Sequence, residues 1–254
     1  MPRASHEIVA ATARGTAVRH RQMPRLPRAS CPPGCTRVVP PARRVEPELL
    51  DSLAEEAPAS RASRRDLRRI NRLLGTAGWC ARVLGARRRP GEGTLEIGAG
   101  GGELAPCLMG DDVLLAGLDR SRRPANWPES ALWFQTDVLQ FAGWAGFPVV
   151  VANLFLHHFE RRDLAALGHQ LGRHARLIVV SEPLRVQRTR RLFDLVCPLL
   201  RAHAVTRHDG RVSIAAGFRG AELPGLLALD PQLWRWETAE TWTGSSRLIA
   251  ERRR

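Results

Sequence analysis

Residues 94–104 read TLEIGAGGGEL and decide the fold of this chain. A short apolar strand runs into a turn with glycine at Gly98, Gly100 and Gly102, and a helix is expected to begin after the turn. Glycine adopts positive φ easily and has no Cβ, so a ligand can approach the backbone of such a turn closely. The N–H groups at the start of a helix favour an anionic group. Glu96, two residues before the first glycine, would repel a phosphate. We therefore expect a ligand that carries both an ammonium group and a carboxylate.

An acidic residue ends each of the next two predicted strands. Residues 112–118 form a continuous apolar run that stops at Asp119. In dinucleotide-type folds an acid about 20 residues beyond the glycines holds a pair of ribose hydroxyls, and a carboxylate can accept from two donors at once. Residues 132–136 form a third strand that leads to Asp137. The carboxylate of Asp137 could accept from the exocyclic amine of an adenine, while the N–H of Val138 serves a ring nitrogen.

Strands and helices alternate through the rest of the chain. Residues 147–152 form a fourth predicted strand that leads to Asn153, and residues 177–180 form a fifth. Pro183 is placed to open the helix that follows. This alternation predicts an α/β fold with a doubly wound parallel sheet, in which ligands lie at the C-terminal ends of the strands.

Two segments precede the sheet. Residues 1–46 are rich in Arg, Pro and Ala, so we expect a disordered leader; a transit peptide, a start codon assigned too far upstream and a basic arm for nucleic acid are alternatives. Residues 47–90 are predicted to form helices, one of which starts near Ser63 as its N-cap. That helix carries three apolar residues on one face: Leu67, Ile70 and Leu74. Its Arg-rich side is either simply solvated or part of a lid over a ligand cleft. Residues 91–254 form the main domain.

The basic composition does not by itself indicate a nucleic-acid partner. The chain of 254 residues has a formal net charge of +14, yet all 39 of its Lys and Arg residues are Arg, and Tyr is absent. The residue types that AT-rich codons encode are all scarce in this sequence. This pattern indicates a GC-rich genome rather than selection for a charged surface. We therefore expect no nucleic-acid partner.

The cysteines indicate a reducing compartment, and we expect a cytoplasmic protein. Five cysteines are an odd and sparse set, unlike a disulfide framework. Cys31 and Cys35 could be half of a metal site, but no second pair with matching spacing follows, so we expect no metal. No apolar run reaches the roughly 18 residues of a membrane span, and the N-terminus lacks the apolar segment of a secretory signal.

These motifs together resemble those of class I S-adenosylmethionine-dependent methyltransferases, and the resemblance covers about residues 60–254. It is carried by residues 95–102, 117–119, 136–137 and 153–159, and by a closing hairpin of residues 234–242 and 246–251. The resemblance implies a Rossmann-like sheet of seven strands with the last strand antiparallel. It also implies that S-adenosylmethionine is the cofactor. The residues expected to bind it are Glu96, Gly98, Gly100, Gly102, Asp119, Asp137, Val138 and Asn153.

Residues 153–159, NLFLHHF, resemble the subgroup that acts on small molecules, including quinone, phenol and polyketide methyltransferases. A phenol or hydroxyl acceptor must lose its proton, and histidine is suited to accept it near neutral pH. The candidate bases are His157, His158 and His208, and we favour the first two because they follow the fourth strand directly. Positioning of the two reactants without a base is the alternative. Glu182 and Asp209 are lesser candidates for orienting the base or the acceptor.

Other functions are consistent with parts of the pattern. An RNA or protein methyltransferase steered by Arg would bind nucleic acid or protein with a steep salt dependence. A methyltransferase fold that only binds its partner would keep the cofactor residues without turnover. An NAD-type dehydrogenase is disfavoured by Glu96 and Asp137.

Overall fold

The computed structural model describes residues 42–110 and 113–253, and its centre is one sheet of seven strands. In chain order the strands are β1 (Thr94–Ile97), β2 (Leu115–Asp119), β3 (Leu132–Gln135), β4 (Val149–Asn153), β5 (Leu177–Pro183), β6 (Trp234–Glu240) and β7 (Ser245–Arg252). Their order across the sheet is β3-β2-β1-β4-β5-β7-β6. Strands β1 to β5 run parallel, whereas β7 pairs antiparallel with both β5 and β6. This topology confirms the predicted sheet and its antiparallel last strand.

The central strands are apolar at almost every position because both of their faces are buried. In β4, Val149 and Val151 pack into one hydrophobic core, while Val150 and Ala152 pack into the core on the opposite face. The register of β5 repeats this alternation. Such strands read as continuous apolar runs, which is why the sequence predicts them well.

Eight helices surround the sheet in the described residues. They are α1 (Leu49–Ser52), α2 (Pro58–Leu74), α3 (Thr76–Arg87), α4 (Ala105–Leu108), α5 (Arg161–His174), α6 (Gln187–Leu199), α7 (Ala204–Ala216) and α8 (Glu222–Leu226). Single 3₁₀ turns lie at Trp144–Gly146 and Leu156–His158. None of the helices in this part of the chain combines the length and the apolar character needed to cross a bilayer.

Helix α2 begins five residues before the predicted N-cap, and Ser63 lies buried within it. The buried residues of α2 are polar: Ser60, Ser63 and Asp66. Asp66 Oδ2 accepts hydrogen bonds from the backbone N–H of His203 at 2.8 Å and from Thr206 Oγ1 at 3.2 Å. A polar face against α7 therefore holds this helix, and its apolar residues Leu67, Ile70 and Leu74 remain available to the cleft described below.

Two other local predictions differ from the structure. Pro183 is the last residue of β5 and does not open a helix. Its carbonyl oxygen accepts the N–H of Phe218 at 2.9 Å, so hydrogen bonding along the strand continues to this residue. Residues 42–46, which the sequence places in the leader, lie against α7, where the N–H of Arg44 donates to the carbonyl of Ala215 at 3.2 Å. Residues 1–41, with Cys31 and Cys35, lie outside the described residues.

Candidate functional site

A cleft of about 1420 Å³ lies at the C-terminal ends of β1 to β4. The strand order reverses between β1 and β4, and open α/β sheets bind ligands in the crevice at such a switch point. Most of the predicted ligand residues line this cleft: Glu96, Gly98, Gly100, Asp119, Asp137, Val138, Asn153, His157 and His158. Gly102 and His208 do not line it.

The glycine turn adopts the left-handed backbone that its sequence predicts. Gly98, Gly100 and Gly102 have φ values of +67°, +49° and +73°. A Cβ at Gly98 would lie 2.7 Å from the Cβ of Phe155 and would overlap its ring. A Cβ at Gly102 would lie 3.1 Å from Trp127, so the glycine allows the turn to pack closely against the Trp127 ring. A side chain at Gly98 is therefore excluded both by its backbone conformation and by the approach of Phe155.

Asp119 connects the end of β2 to the glycine turn. One carboxylate oxygen accepts the N–H of Gly100 at 2.9 Å, and the other accepts the N–H of Ser121 at 2.8 Å. Each oxygen keeps a lone pair after these bonds. The carboxylate is therefore fixed in place and can still accept from hydroxyl donors in the cleft.

Asp137 and Val138 form the wall beyond β3. Asp137 accepts the N–H of Leu139 at 2.9 Å and forms an ion pair with the exposed Arg120. Burial raises the pKa of Asp137, but the hydrogen bonds from Arg120 and Leu139 outweigh it and leave the pKa below its usual value. The side chain of Val138 is buried in the core, and its N–H has no hydrogen-bond partner among the described residues.

Glu96 and Asn153 form the polar floor of the cleft. Glu96 is only 3% exposed, and burial, then the charges of Glu103 and Asp119, raise its pKa well above the usual value. Within the described residues, Glu96 Oε2 and Asn153 Oδ1 are buried without a hydrogen bond. Because buried polar atoms are nearly always satisfied in folded proteins, this floor is suited to a ligand with a cationic or hydrogen-bond-donating group.

His157 lies buried between two carboxylates. Its Nδ1 is 2.7 Å from Glu182 Oε2, and its Nε2 is 3.4 Å from Glu48 Oε1. Burial lowers the pKa of His157, but the neighbouring carboxylates of Glu182 and Glu48 outweigh this effect and raise the pKa to about 9. Glu182 also accepts the N–H groups of Phe155 and Leu156, so this carboxylate fixes the whole 3₁₀ turn after β4.

The other two predicted bases have different surroundings. The ring of His158 lies on that of His157 with centroids 4.2 Å apart, and burial, then the charge of His157, lower the pKa of His158. His208 is half exposed and its Nδ1 is 2.9 Å from Asp209 Oδ1. The carboxylate of Asp209 accepts the N–H groups of Leu49 and Leu50, both at 2.9 Å, and so holds the start of α1.

The segment before α2 contributes residues that the sequence analysis missed. Glu48 and Asp51 line the cleft beside His158. Arg43 donates to the carbonyl oxygens of His157 at 2.9 Å and Phe159 at 2.8 Å, and its guanidinium lies 4.8 Å from the ring centroid of Phe218. The sequence predicts a helix from residue 47 but carries no ligand motif there, so only the tertiary contacts show that Glu48 and Asp51 belong to the cleft.

Three solved structures with a similar fold are methyltransferases. No family model matches the chain, and no curated protein matches it. The plantazolicin methyltransferase BpumL in complex with SAH is 14% identical, with a TM-score of 0.58 over 78% of this chain and 92% of that chain. BpumL with a triazolic desmethylPZN analog and SAH is 12% identical, with a TM-score of 0.61 over 81% of this chain and 93% of that chain. The plantazolicin methyltransferase BamL with the triazolic desmethylPZN analog and SAH is 11% identical, with a TM-score of 0.57 over 81% of this chain and 93% of that chain. The chain therefore has the fold of class I S-adenosylmethionine-dependent methyltransferases.

Proposed function

We propose that this protein transfers a methyl group from S-adenosylmethionine to a small-molecule acceptor. The observation that carries the proposal is a pair of buried oxygens, Glu96 Oε2 and Asn153 Oδ1, that have no partner in the described part of the chain. They lie beside a left-handed glycine turn at the switch point of the sheet. The solved structures with this fold hold SAH, the demethylated form of the cofactor, which supports the same assignment.

The residues of the cleft fit the parts of the cofactor one by one. Glu96 can accept from the ammonium group. The N–H of Gly101, which has no acceptor within the described residues, suits the carboxylate. Asp119 retains acceptor capacity for the ribose hydroxyls. Asp137 and the N–H of Val138 are placed for the adenine. When bound, the cofactor supplies an electrophilic methyl group, and the protein's part is to align the acceptor with it.

The rest of the cleft is suited to an acceptor with an apolar body. Ligand pockets usually have volumes of about 300–1,000 Å³, so a cleft of about 1420 Å³ has space for two ligands. Apolar side chains of α2, α6 and the β6–β7 turn line it: Leu67, Ile70, Leu74, Leu192, Phe193, Val196 and Trp242. We propose a phenol, quinone or polyketide-like hydroxyl acceptor, with α2 as a lid over it.

The polar end of the acceptor space is formed by Glu48, His157 and His158. We propose that the hydroxyl proton of the acceptor is removed here, because these are the residues of the cleft that combine imidazole and carboxylate groups in mutual contact. His208 has no part in this step, since it lies outside the cleft.

We place the reaction in the cytoplasm, within secondary metabolism. The cysteines of the described residues are free thiols: Cys80, Cys107 and Cys197. Free thiols are typical of a reducing compartment, and polyketide-like acceptors are typical of secondary metabolism.

Calorimetric titration of the purified full chain with SAH and with NAD tests the cofactor. We expect SAH to bind, NAD not to bind, and Glu96→Gln to weaken SAH binding at least tenfold. The exposed Glu129→Gln is the matched control and should bind SAH like the parent chain. Binding of NAD in place of SAH, or equal SAH affinity in both variants, would refute the assignment.

The acceptor is tested by incubating the protein with isotope-labelled S-adenosylmethionine and a small-molecule extract. We expect mass shifts of a methyl group in phenolic or hydroxylated compounds. SAH binding without any labelled small molecule would instead favour a binding module, and label in RNA or protein would favour the macromolecular alternative.

A further inference from the structure

We propose that Glu48, His157 and His158 bind one divalent transition-metal ion at the acceptor end of the cleft. We call these three residues the acceptor-end cluster. Each offers one ligand atom, and the three atoms lie within 4.8 Å of one another. Imidazole nitrogen and carboxylate oxygen are ligands that zinc, cobalt and manganese share. All three residues line the cleft, so an ion can reach them from solvent.

The distance between the first two ligand atoms fits a shared ion better than a direct hydrogen bond. His157 Nε2 and Glu48 Oε1 are 3.4 Å apart. Two ligands at about 2.0–2.1 Å from a tetrahedral ion lie roughly 3.3 Å apart. An N–H···O hydrogen bond between them would usually measure about 2.9 Å.

The cluster also has the outer partners that metal ligands usually have. A ligating histidine typically donates its second ring N–H to a carboxylate, which fixes the tautomer and aims the free nitrogen at the ion. His157 Nδ1 lies 2.7 Å from Glu182, and that carboxylate is itself held by the N–H groups of Phe155 and Leu156. Glu48 Oε1 accepts a hydrogen bond from Ser213. These contacts hold both ligands in place before an ion arrives.

The competing occupant of this position is a proton. The carboxylates of Glu48 and Glu182 lie 3.4 Å from Nε2 and 2.7 Å from Nδ1 of His157, so a proton and a metal ion compete for the same position at Nε2. A metal-bound imidazole nitrogen carries no proton, so the ion replaces the proton on binding.

The consequence for catalysis rests on the proposed function, whereas ion binding itself does not. Three protein ligands leave a tetrahedral ion with an open position, as in catalytic rather than structural sites. Positive charge beside the acceptor hydroxyl favours loss of its proton. The hydroxyl would then release its proton to water in the cleft, and His158 would act as a ligand of the ion instead of accepting the proton itself.

Titration with Co²⁺ tests the inference directly. The full chain is stripped with a chelator, and visible d–d absorption is recorded as Co²⁺ is added. Parallel titrations use Glu48→Gln, His158→Gln and, as the matched control, His169→Gln on the exposed side of α5. All are made in a Cys31→Ser/Cys35→Ser background, which removes the thiols outside the described residues. Circular dichroism and SAH calorimetry on the same samples report folding and cofactor binding.

We expect one bound Co²⁺ in the background chain and in His169→Gln. Both cluster variants should lose affinity by at least the roughly 10–100-fold that the loss of an outer partner costs, while SAH binding is retained. Absence of a cobalt spectrum, or equal affinity in the folded cluster variants and the control, would overturn the inference. SAH binding without Co²⁺ binding would refute the metal site alone, and Co²⁺ binding without SAH binding would refute the proposed cofactor alone.

Discussion

Alanine at Gly98 should destabilise the protein far more than alanine at Gly100, although both glycines lie in the same turn. Both have positive φ, +67° and +49°, so each substitution forces an L-residue into left-handed backbone at a cost of about 1–2 kcal/mol. Only at Gly98 does the new methyl group overlap the ring of Phe155. Overpacking of this kind costs about 1–3 kcal/mol more. The nearest atom to a Cβ at Gly100 is 3.9 Å away.

The measurement is the free energy of unfolding of both variants from urea denaturation, with SAH affinity measured alongside. We expect losses of about 2–5 kcal/mol for Gly98→Ala and about 1–2 kcal/mol for Gly100→Ala. In thermal unfolding, 1 kcal/mol corresponds to a shift of about 2–4 °C for a domain of this size. SAH affinity should fall in Gly98→Ala, since the turn must move away from Phe155.

A second background separates the ring contact from the backbone cost. Phe155→Ala removes the ring, so Gly98→Ala should cost less there, with a coupling of about 0.5–3 kcal/mol, whereas the cost of Gly100→Ala should not change. Equal losses for the two glycine variants, or no coupling with Phe155, would show that close approach of the ring does not fix this turn.

Three further predictions follow from buried polar groups. Because the pKa of Glu96 is raised in the folded state, the unfolded chain binds fewer protons above pH 4.5, and stability falls as pH rises through the folded pKa. The free energy of unfolding of Glu96→Gln, relative to that of the parent, should therefore be higher at pH 8 than at pH 4. An equal difference between variant and parent at both pH values in urea titrations would contradict this. Burial raises the pKa of Cys80 to about 12, and since only the thiolate reacts, iodoacetamide at pH 8 should leave Cys80 unlabelled in the native protein while the less buried Cys107 is labelled; mass spectrometry showing equal labelling would refute this. Asp66→Ala should cost about 1–3 kcal/mol, because it leaves the N–H of His203 without a partner, and it should speed hydrogen exchange in α2; Asp66→Asn keeps an acceptor oxygen and should cost less, so an equal cost would contradict this reasoning.

The sheet and the cofactor end of the cleft could be predicted from the sequence because their signals are local. Runs such as residues 147–152 are apolar throughout since both faces of β4 are buried. Asp119 and Asp137 stand where the strands end, and parallel strands bring those ends to one edge. The glycine turn is marked by residue type alone, since positive φ at three positions in five residues requires it.

The acceptor end could not be predicted because long-range contacts determine it. Glu48 belongs to a segment without a ligand motif, and the carboxylate of Asp209 on α7, far along the chain, fixes that segment. Ser63 looks like a helix cap by residue type, but it is buried and bonds Thr206 across the interface at 3.1 Å. His157 and His158 are adjacent in sequence, yet contacts with Glu182 and Glu48, both distant in sequence, give His157 a different environment.

The anchoring of Arg43 against the turn after β4 has a consequence for how this protein can change. The groups proposed for the nucleoside and amino-acid parts of the cofactor all come from residues 96–153, whereas Glu48 and Asp51 arrive on a separate stretch pinned by Arg43 and Asp209. A shortened chain that starts at α2 should keep the groups proposed for the cofactor and lose Glu48 and Asp51 from the acceptor end of the cleft. Exchange of residues 42–51 should thus change the polar end of the acceptor space and leave the groups proposed for the cofactor in place.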